Sequence, residues 1–132
     1  MTLTKEQKAS LAEKLSMPYG RAELMCDGYR VTLCVERAKG LSYRVMTYVN
    51  GEWRCTWFSA KEAHPEQRFM RPVSRYFWPA KFRRDMLKLL GKRRYAAEDY
   101  DRKHHSYTPD WPNGKAAINH LCKVCKSIEV LP

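Results

Sequence analysis

Apolar and polar residues alternate along two stretches in the first half of the chain. In residues 29–37, Val31, Leu33 and Val35 fall on one side of an extended backbone. Residues 42–49 repeat this alternation. A period of two residues is typical of a strand that buries one face and exposes the other. The pattern therefore predicts two antiparallel strands with a shared core face.

The alternation resumes on both sides of these strands. Residues 52–58 follow the dipeptide Asn50-Gly51, and residues 22–26 precede the first strand. Asn-Gly accepts the positive φ angles that a two-residue hairpin turn requires. We therefore predict a hairpin between 42–49 and 52–58, within an antiparallel meander of three to four strands.

Helical patterns replace the alternation towards the two ends of the chain. Thr4 and Gln7 have the spacing of a capping box, in which each side chain binds the other's free backbone amide, and we predict a helix over residues 5–15. Residues 113–126 carry an apolar stripe at helical spacing. Residues 127–131 follow as a predicted closing strand.

The middle of the chain combines basic residues with a third helical pattern. Pro79 can occupy the first turn of a helix, and Gly91 is a natural helix end. One side of this helix carries an apolar stripe, formed by Phe82, Met86, Leu89 and Leu90. The other side carries a cationic stripe, formed by Lys81, Arg84 and Lys88. We interpret residues 60–78 as a long basic loop and residues 92–105 as a second, charged helix.

These elements predict a single α+β domain over residues 1–132. Its β-rich part is 21–59, its basic loop and helical part is 60–126, and its closing strand lies in 127–131. The expected architecture is an antiparallel β-meander with an N-terminal helix and two to three C-terminal helices packed on it.

Positive charge is concentrated in one segment. The chain has 25 Lys and Arg residues against 14 Asp and Glu residues, a net charge of +11. Residues 68–94 alone hold ten of the bases and a single acid, Asp85, among several aromatic rings. Lys and Arg bind phosphates, and single-stranded bases stack on exposed rings. The candidate partner-binding residues are Arg68, Arg71, Arg75, Tyr76, Trp78, Lys81, Arg83, Arg84, Lys88, Arg93 and Arg94.

This charge pattern restricts the class of partner. We expect the segment to bind DNA, RNA, a host nucleoprotein or an acidic protein. No run of about 18 apolar residues occurs, so a membrane is not an expected partner. The first residues are polar and lack the apolar core of a secretory signal, so the expected location is the cytoplasm. The phosphate-binding and hydrolase motifs that mark common enzymes are absent, so we expect stoichiometric binding rather than catalysis.

The five cysteines include one C-x-x-C pair, Cys122 and Cys125. Without an export signal, all five are expected to be reduced thiols. The pair supplies two zinc ligands, whereas a structural zinc site needs four. Both cysteines also lie on the apolar stripe of the predicted helix, which favours a place in the core over a metal site.

Residues 104–126 resemble the signature of the HNH nucleases, in which paired His residues on a strand precede an Asn on a helix, often with zinc-binding cysteines nearby. The resemblance implies a general base, a residue that orients the site and a zinc cofactor. The catalytic residues would be His105 and Asn119, and the metal ligands would be His104, Cys122 and Cys125. The chain departs from that family at the position after the second cysteine, where the family has a His and this chain has Lys126. The resemblance makes an HNH-like metal-dependent nuclease an alternative function.

Residues 15–53, with the sequences CDGYRVTL and YVNG, resemble small accessory proteins of tailed phages and prophages of proteobacteria. The resemblance covers the first half of the chain. It implies a small protein that acts in the cytoplasm of an infected bacterium, directed at a host defence system, as an inhibitor of anti-CRISPR type would be. The expected function is binding to nucleic acid or to a host ribonucleoprotein, with a protein–protein interaction module for an acidic host protein as a further alternative.

Overall fold

The computed structural model describes residues 2–59, 61 and 63–132. Over these residues the chain has the mixed α+β architecture that the sequence predicts. The α-helices are α1 Lys5–Lys14, α2 Ala80–Ala97 and α3 Gly114–Val124. The strands are β1 Arg21–Cys26, β2 Tyr29–Arg37, β3 Tyr43–Val49, β4 Arg71–Tyr76, β5 Lys103–Thr108, β6 Asp110–Trp111 and β7 Ile128–Val130. Short 3₁₀ helices cover Cys55–Trp57 and Pro65–Phe69.

The chain divides into two compact units. The sheet unit comprises the chain up to Arg71 together with Tyr107–Pro132. Its strands form a sheet in the order β6-β3-β2-β1-β7. The helix–ribbon unit comprises Pro72–Ser106, and in it β4 pairs with β5. The central basic segment thus contributes mainly to the second unit.

The residues that alternate in the sequence form the predicted strands. Val31, Leu33 and Val35 of β2 are buried, and β2 pairs antiparallel with both β1 and β3. Asn50 and Gly51 follow β3 with φ angles of +53° and +84°. Both values lie in the left-handed region that this dipeptide favours. The meander is therefore confirmed from β1 to β3.

Helices α1 and α3 pack against each other and share the core of the sheet. Leu11 of α1, Leu15 directly after it, and Ile118 and Leu121 of α3 belong to the same buried cluster as the sheet valines. Gly114 permits the close approach, because a Cβ atom at that position would lie 2.5 Å from the Cβ of Leu15. The apolar stripe of the predicted C-terminal helix thus faces the core, as expected.

The strand predicted over residues 52–58 is wrong. After the turn, the described residues of this segment form a single β-bridge, between Val49 and Glu52, instead of a strand. Cys55–Trp57 is a 3₁₀ helix. The free edge of β3 pairs instead with β6, which comes from the far end of the chain. Each edge has one set of backbone hydrogen-bonding groups, so a second strand has no partner there. Trp53 is consequently 41% exposed rather than in the core.

Two predictions for the middle of the chain are also wrong in part. The interpreted loop 60–78, of which Ala60 and Glu62 lie outside the described residues, contains a 3₁₀ helix and β4. Gly91, with a φ of +80° and a ψ of +163°, ends the first helical part of α2, as predicted, and a second helical part follows it and runs to Ala97. The predicted helix over 92–105 is therefore correct up to Ala97 and wrong beyond it, where β5 begins at Lys103. β4 and β5 pair with each other although α2 separates them in the sequence. A local periodicity does not predict such a long-range pairing.

Asp27 fastens the closing strand to the turn between β1 and β2. Its carboxylate accepts hydrogen bonds from the backbone N–H groups of Ser127, at 2.7 Å, and Lys126, at 3.1 Å. Its own N–H donates to the carbonyl of Ser127, and Arg68 lies 3.3 Å from the carboxylate. The two backbone hydrogen bonds, helped by the charge of Arg68, lower the pKa of Asp27 below its usual value of 3.8.

We predict that Asp27→Asn lowers stability at neutral pH and that its difference from the wild type disappears in acid. A carboxyl group with a lowered folded-state pKa stabilises the fold above its unfolded-state pKa of 3.8, and this contribution is lost as the pH falls through the folded-state value. Urea unfolding of both proteins from neutral pH down to below pH ~3 measures the difference.

Asp99→Asn is the matched control for this experiment. Asp99 also has a positive φ, of +58°, but its carboxylate has no hydrogen bond within the described part of the chain. The control variant should follow the wild type at every pH. A stability gap for Asp27→Asn that stayed constant with pH would contradict the role given to the ionised carboxylate.

Candidate nucleic-acid interface

The helix–ribbon unit carries a dense positive charge. Residues 72–106 hold ten Lys and Arg residues and four acids, a net charge of +6. Strand β4 lies beside β5: the N–H of Phe77 donates to the carbonyl of Arg102 at 2.9 Å, and the Ser74 hydroxyl lies 2.6 Å from Nδ1 of His105. Most of the candidate binding residues of the sequence lie on this ribbon or on α2.

The aromatic residues of the unit pack against one another. The ring of Trp78 lies 4.9 Å from that of Phe82 and 6.4 Å from that of Tyr100, measured between centroids. Tyr95 stacks on Tyr100 at 5.5 Å and is buried, and its hydroxyl donates to Asp101 at 2.7 Å. A unit of this size has few other apolar groups to bury, so these rings serve as its small core.

Three cations of the unit are bound to ring faces. The guanidinium carbon of Arg83 lies 3.4 Å from the centroid of the Tyr76 ring, and Nζ of Lys103 lies 4.8 Å from it. Arg102 lies 4.4 Å from the ring centroid of Phe77. Each such contact contributes about 0.5–2 kcal/mol. These rings therefore already have cationic partners within the unit.

Arg83 has further contacts that fix its position. Its guanidinium lies 3.7 Å from the carboxylate of Asp101, and its Nε donates to the carbonyl of Trp78 at 3.2 Å. Its side chain is 19% exposed, whereas the other cations of α2 are exposed. Among the candidate residues, Arg83 thus has a structural role in the unit.

A row of cations along the first part of α2 has no such partners. Lys81, Arg84 and Lys88, called the cationic row, are exposed, and within the described residues their charged groups make no ion pair or hydrogen bond. Spacings of three and four residues place them on one helix face, over roughly 10 Å at 1.5 Å of rise per residue. The row therefore presents three cations without ion pairs to solvent, and the exposed carboxylate of Asp85 lies on the same helix face.

More exposed cations of the unit precede and follow the cationic row along the chain. Arg75 is exposed on β4, and Lys92, Arg93 and Arg94 are exposed on the second part of α2. The non-helical backbone of Gly91 separates that part from the row, so the two parts do not share one helical phase. The positive surface is consequently extended beyond a single helix face.

The apolar face predicted for α2 is not buried. Phe82 is 37% exposed and Leu89 is 75% exposed, while Met86 and Leu90 are partly covered. The helix is amphipathic, as its period indicates, but the aromatic rings at its start, rather than its leucines, form the packing of the unit. An exposed apolar strip therefore lies on α2 on the side away from the cationic row.

The first two candidate arginines belong to the sheet unit and are paired there. Arg68 binds Asp27 and lies 4.7 Å from the ring centroid of Phe69. Nε of Arg71 donates to the carbonyl of Asp110 at 2.8 Å, and its guanidinium lies 3.7 Å from the Asp110 carboxylate. Both arginines therefore stabilise the segment that they occupy.

The electrostatics of Asp110 reflect this pairing. Burial alone would raise the pKa of its carboxyl group, but a hydrogen bond from the Thr108 hydroxyl and the charges of Arg71 and Arg44 hold that pKa below its usual value. Asp110 is therefore ionised at neutral pH and remains paired with Arg71.

Sequence reasoning missed three cations of the unit. Lys92, Arg102 and Lys103 were not among the candidates, although Arg102 and Lys103 contact the rings of Phe77 and Tyr76. The last two lie at or beside the start of β5, in a region whose charge pattern suggested a helix. Lys92 was recognisable as one of the ten bases of the central segment.

The cysteines of the C-x-x-C pair belong to the sheet unit. Cys125 is buried in the core, as predicted, and Cys122 is half-buried against it. A hydrogen bond to Cys125, together with burial, raises the pKa of the Cys26 thiol. Burial raises the pKa of Cys34 and Cys122 as well. All five cysteines are free thiols.

We predict that one thiol reacts quickly with Ellman's reagent in the native protein. The thiolate is the reactive species, and Cys55 is exposed, whereas burial hinders the ionisation of Cys34 and Cys122. Cys26 should react only after unfolding. Cys55→Ser should remove the fast phase, and a fast phase that survived this change would contradict the assignment.

The residues of the HNH-like alternative occur in both units. His104 and His105 are exposed on β5, in the helix–ribbon unit. Asn119 is exposed on α3, in the sheet unit, as is the C-x-x-C pair. Among the residues that the structure describes, no group of three or more His, Cys, Asp or Glu side chains is arranged to hold a metal ion.

A shallow cavity of about 380 Å³ lies beside β2 in the sheet unit. It is lined by Arg30, Cys34, Glu36 and Tyr48, among others. The hydroxyl of Tyr48 donates to the carboxylate of Glu36 at 2.6 Å, and this hydrogen bond, together with burial, raises the pKa of Tyr48 to about 12. Tyr48 therefore keeps its proton at neutral pH and donates it in a hydrogen bond to Glu36.

No protein-family model, curated protein or solved structure matches the chain. Within the described part, none of the helices has the length and apolar composition needed to cross a membrane. The geometry and charge of the helix–ribbon unit are therefore what indicates a function.

Proposed function

We propose that the protein is a stoichiometric nucleic-acid binder whose contact surface is the cationic side of the helix–ribbon unit. The observation that carries this proposal is the cationic row, in which Lys81, Arg84 and Lys88 are exposed without acidic partners in the described chain. A cation that already has an acidic partner gains little binding free energy from a phosphate, because it must give up that partner. An unpaired cation binds a phosphate and releases its counterion without breaking an ion pair of the fold.

The cations around the row enlarge this surface. Arg75, Lys92, Arg93 and Arg94 are exposed in the same unit. Arg83 supports the surface from within by holding β4, through Tyr76, and the turn after α2, through Asp101. Arg68 and Arg71 already have acidic partners and have less to offer a phosphate.

A target within a host ribonucleoprotein fits the same chemistry. The resemblance of the first half to phage accessory proteins supports an action in the bacterial cytoplasm on the nucleic acid of a defence complex, in the manner of an anti-CRISPR inhibitor. Such a complex exposes phosphates in a channel, and the cationic row would compete for that channel or for the nucleic acid it holds.

We predict that the double variant Arg84→Glu/Lys88→Glu loses most of its affinity for nucleic acid of any sequence. Two phosphate contacts become repulsive, so the affinity at low salt should fall at least about tenfold and the salt slope should decrease by about two. Fluorescence anisotropy with labelled oligonucleotides at several salt concentrations measures both quantities.

The variant Lys5→Glu/Lys39→Glu provides the matched control. It makes the same change in net charge at two exposed positions of the sheet unit. Its affinity should remain close to that of the wild type. Equal losses in the two variants would show that net charge, and not the cationic row, governs binding.

A second candidate function is binding to an acidic protein. The exposed apolar strip on α2, above all Leu89 with 75% exposure, favours it, because phosphates do not require an apolar contact. Interfaces with proteins derive most of their affinity from apolar and aromatic anchors, while surrounding charges speed association. The cationic row and the leucines together would suit a groove with an apolar floor and an acidic rim.

We predict that Leu89→Ser separates the two functions. Nucleic-acid affinity should be unchanged, because the serine removes no charge. If an acidic protein is the partner, its retention on immobilised protein after nuclease treatment of a bacterial lysate should be lost in this variant. Leu41→Ser is the control, since Leu41 is 91% exposed in a loop of the sheet unit. A loss of nucleic-acid binding in Leu89→Ser would place the leucine in the proposed interface itself.

A further inference from the structure

We infer that the nucleic acid bound by the helix–ribbon unit is a duplex rather than a single strand. This inference rests on the proposed function and specifies its ligand. The structure supplies two independent reasons, one from the rings of the unit and one from its cations.

The exposed rings of Tyr76 and Phe77, at 43% and 51% exposure, each have at least one cation of the unit against them. Proteins that hold single strands stack successive bases on exposed aromatic faces. Here Tyr76 has the guanidinium of Arg83 3.4 Å and the ammonium of Lys103 4.8 Å from its ring centroid. Phe77 is covered by Arg102 at 4.4 Å. A base that stacked on the face of either ring where a cation already lies would have to displace that cation.

The second candidate stacking residue, Trp78, packs against neighbouring rings of the unit and is 38% exposed. Its ring contacts Phe82 at 4.9 Å and Phe77 at 5.4 Å between centroids, and it also lies beside Tyr100. Its carbonyl accepts the hydrogen bond from Arg83. Moving this ring towards a base would therefore disrupt the packing that positions the start of α2.

The cations without ion-pair partners match the phosphates of a duplex better than those of a flexible single strand. Lys81, Arg84 and Lys88 lie on one face of a helix and so present their charges at fixed spacing. A duplex carries one negative charge per 1.7 Å of its axis, twice the density of either strand alone, and holds its phosphates in a regular array. A surface that gains nothing from base stacking binds the denser array more tightly.

The test compares one sequence in two forms. A labelled strand of about two helical turns and its annealed duplex, each as DNA and as RNA, are titrated with the full-length protein by anisotropy. We expect the duplex to bind roughly tenfold more tightly than the strand, with a steeper salt dependence. The DNA and RNA arms identify which duplex supplies the phosphates.

The outcomes separate this inference from the proposed function. Equal or tighter binding of the single strand, abolished by Arg84→Glu/Lys88→Glu, would overturn the duplex inference and leave the proposed function standing. The absence of binding to either form by the wild type would overturn both. Tighter duplex binding that the double variant abolishes supports both.

Tyr76→Leu gives a second readout that does not depend on the cationic row. If bases stacked on this ring, the variant would lose affinity for the single strand. If phosphates are the ligand, duplex affinity should be kept, because Asp101 and the carbonyl of Trp78 still hold Arg83 and the variant frees Lys103 from the ring. Circular dichroism verifies that the variant remains folded, and a selective loss of strand binding would contradict the inference.

Discussion

The pairing of β6 with the free edge of β3 determines how the rest of the chain is arranged. Trp111 of β6 is buried, and its indole N–H donates to the hydroxyl of Thr47, which is fully buried in β3, at 3.0 Å. This hydrogen bond satisfies two polar groups inside the core, where an unpaired group would be costly. Because β6 occupies this edge, residues 52–58 cannot extend the meander, and the sheet is completed only when the C-terminal part of the chain returns.

The same constraint makes residues 72–106 an insertion into the sheet unit. The chain leaves that unit after Arg71 and re-enters it at Tyr107, so the insertion must form its own core from its own residues. It does so with aromatic rings and with cations stacked on them, such as Arg83 on Tyr76. Cations that join this core lose their availability to a partner, whereas those that remain outside it, such as Arg84 and Lys88, define the exposed positive surface.

The local patterns of the sequence predicted those elements whose cause is local. The capping box at Thr4 and Gln7 is present, and the buried valines of β2 follow the period of two. The elements that were missed depend on distant pairing: β6 binds an edge formed more than sixty residues earlier, and β4 meets β5 across α2. A charge pattern also does not show which cations have partners, because that depends on acids such as Asp101 and Asp110 in the folded chain.

The salt dependence of duplex binding by the wild-type protein tests the central claim most directly. If the unpaired cations of the helix–ribbon unit bind phosphates, the slope of log K against log salt concentration should lie between about −3, for the cationic row alone, and about −6, when Arg75 and the cations beyond Gly91 contribute. A slope near zero, or affinity that does not change with salt, would contradict the claim that these cations carry the function.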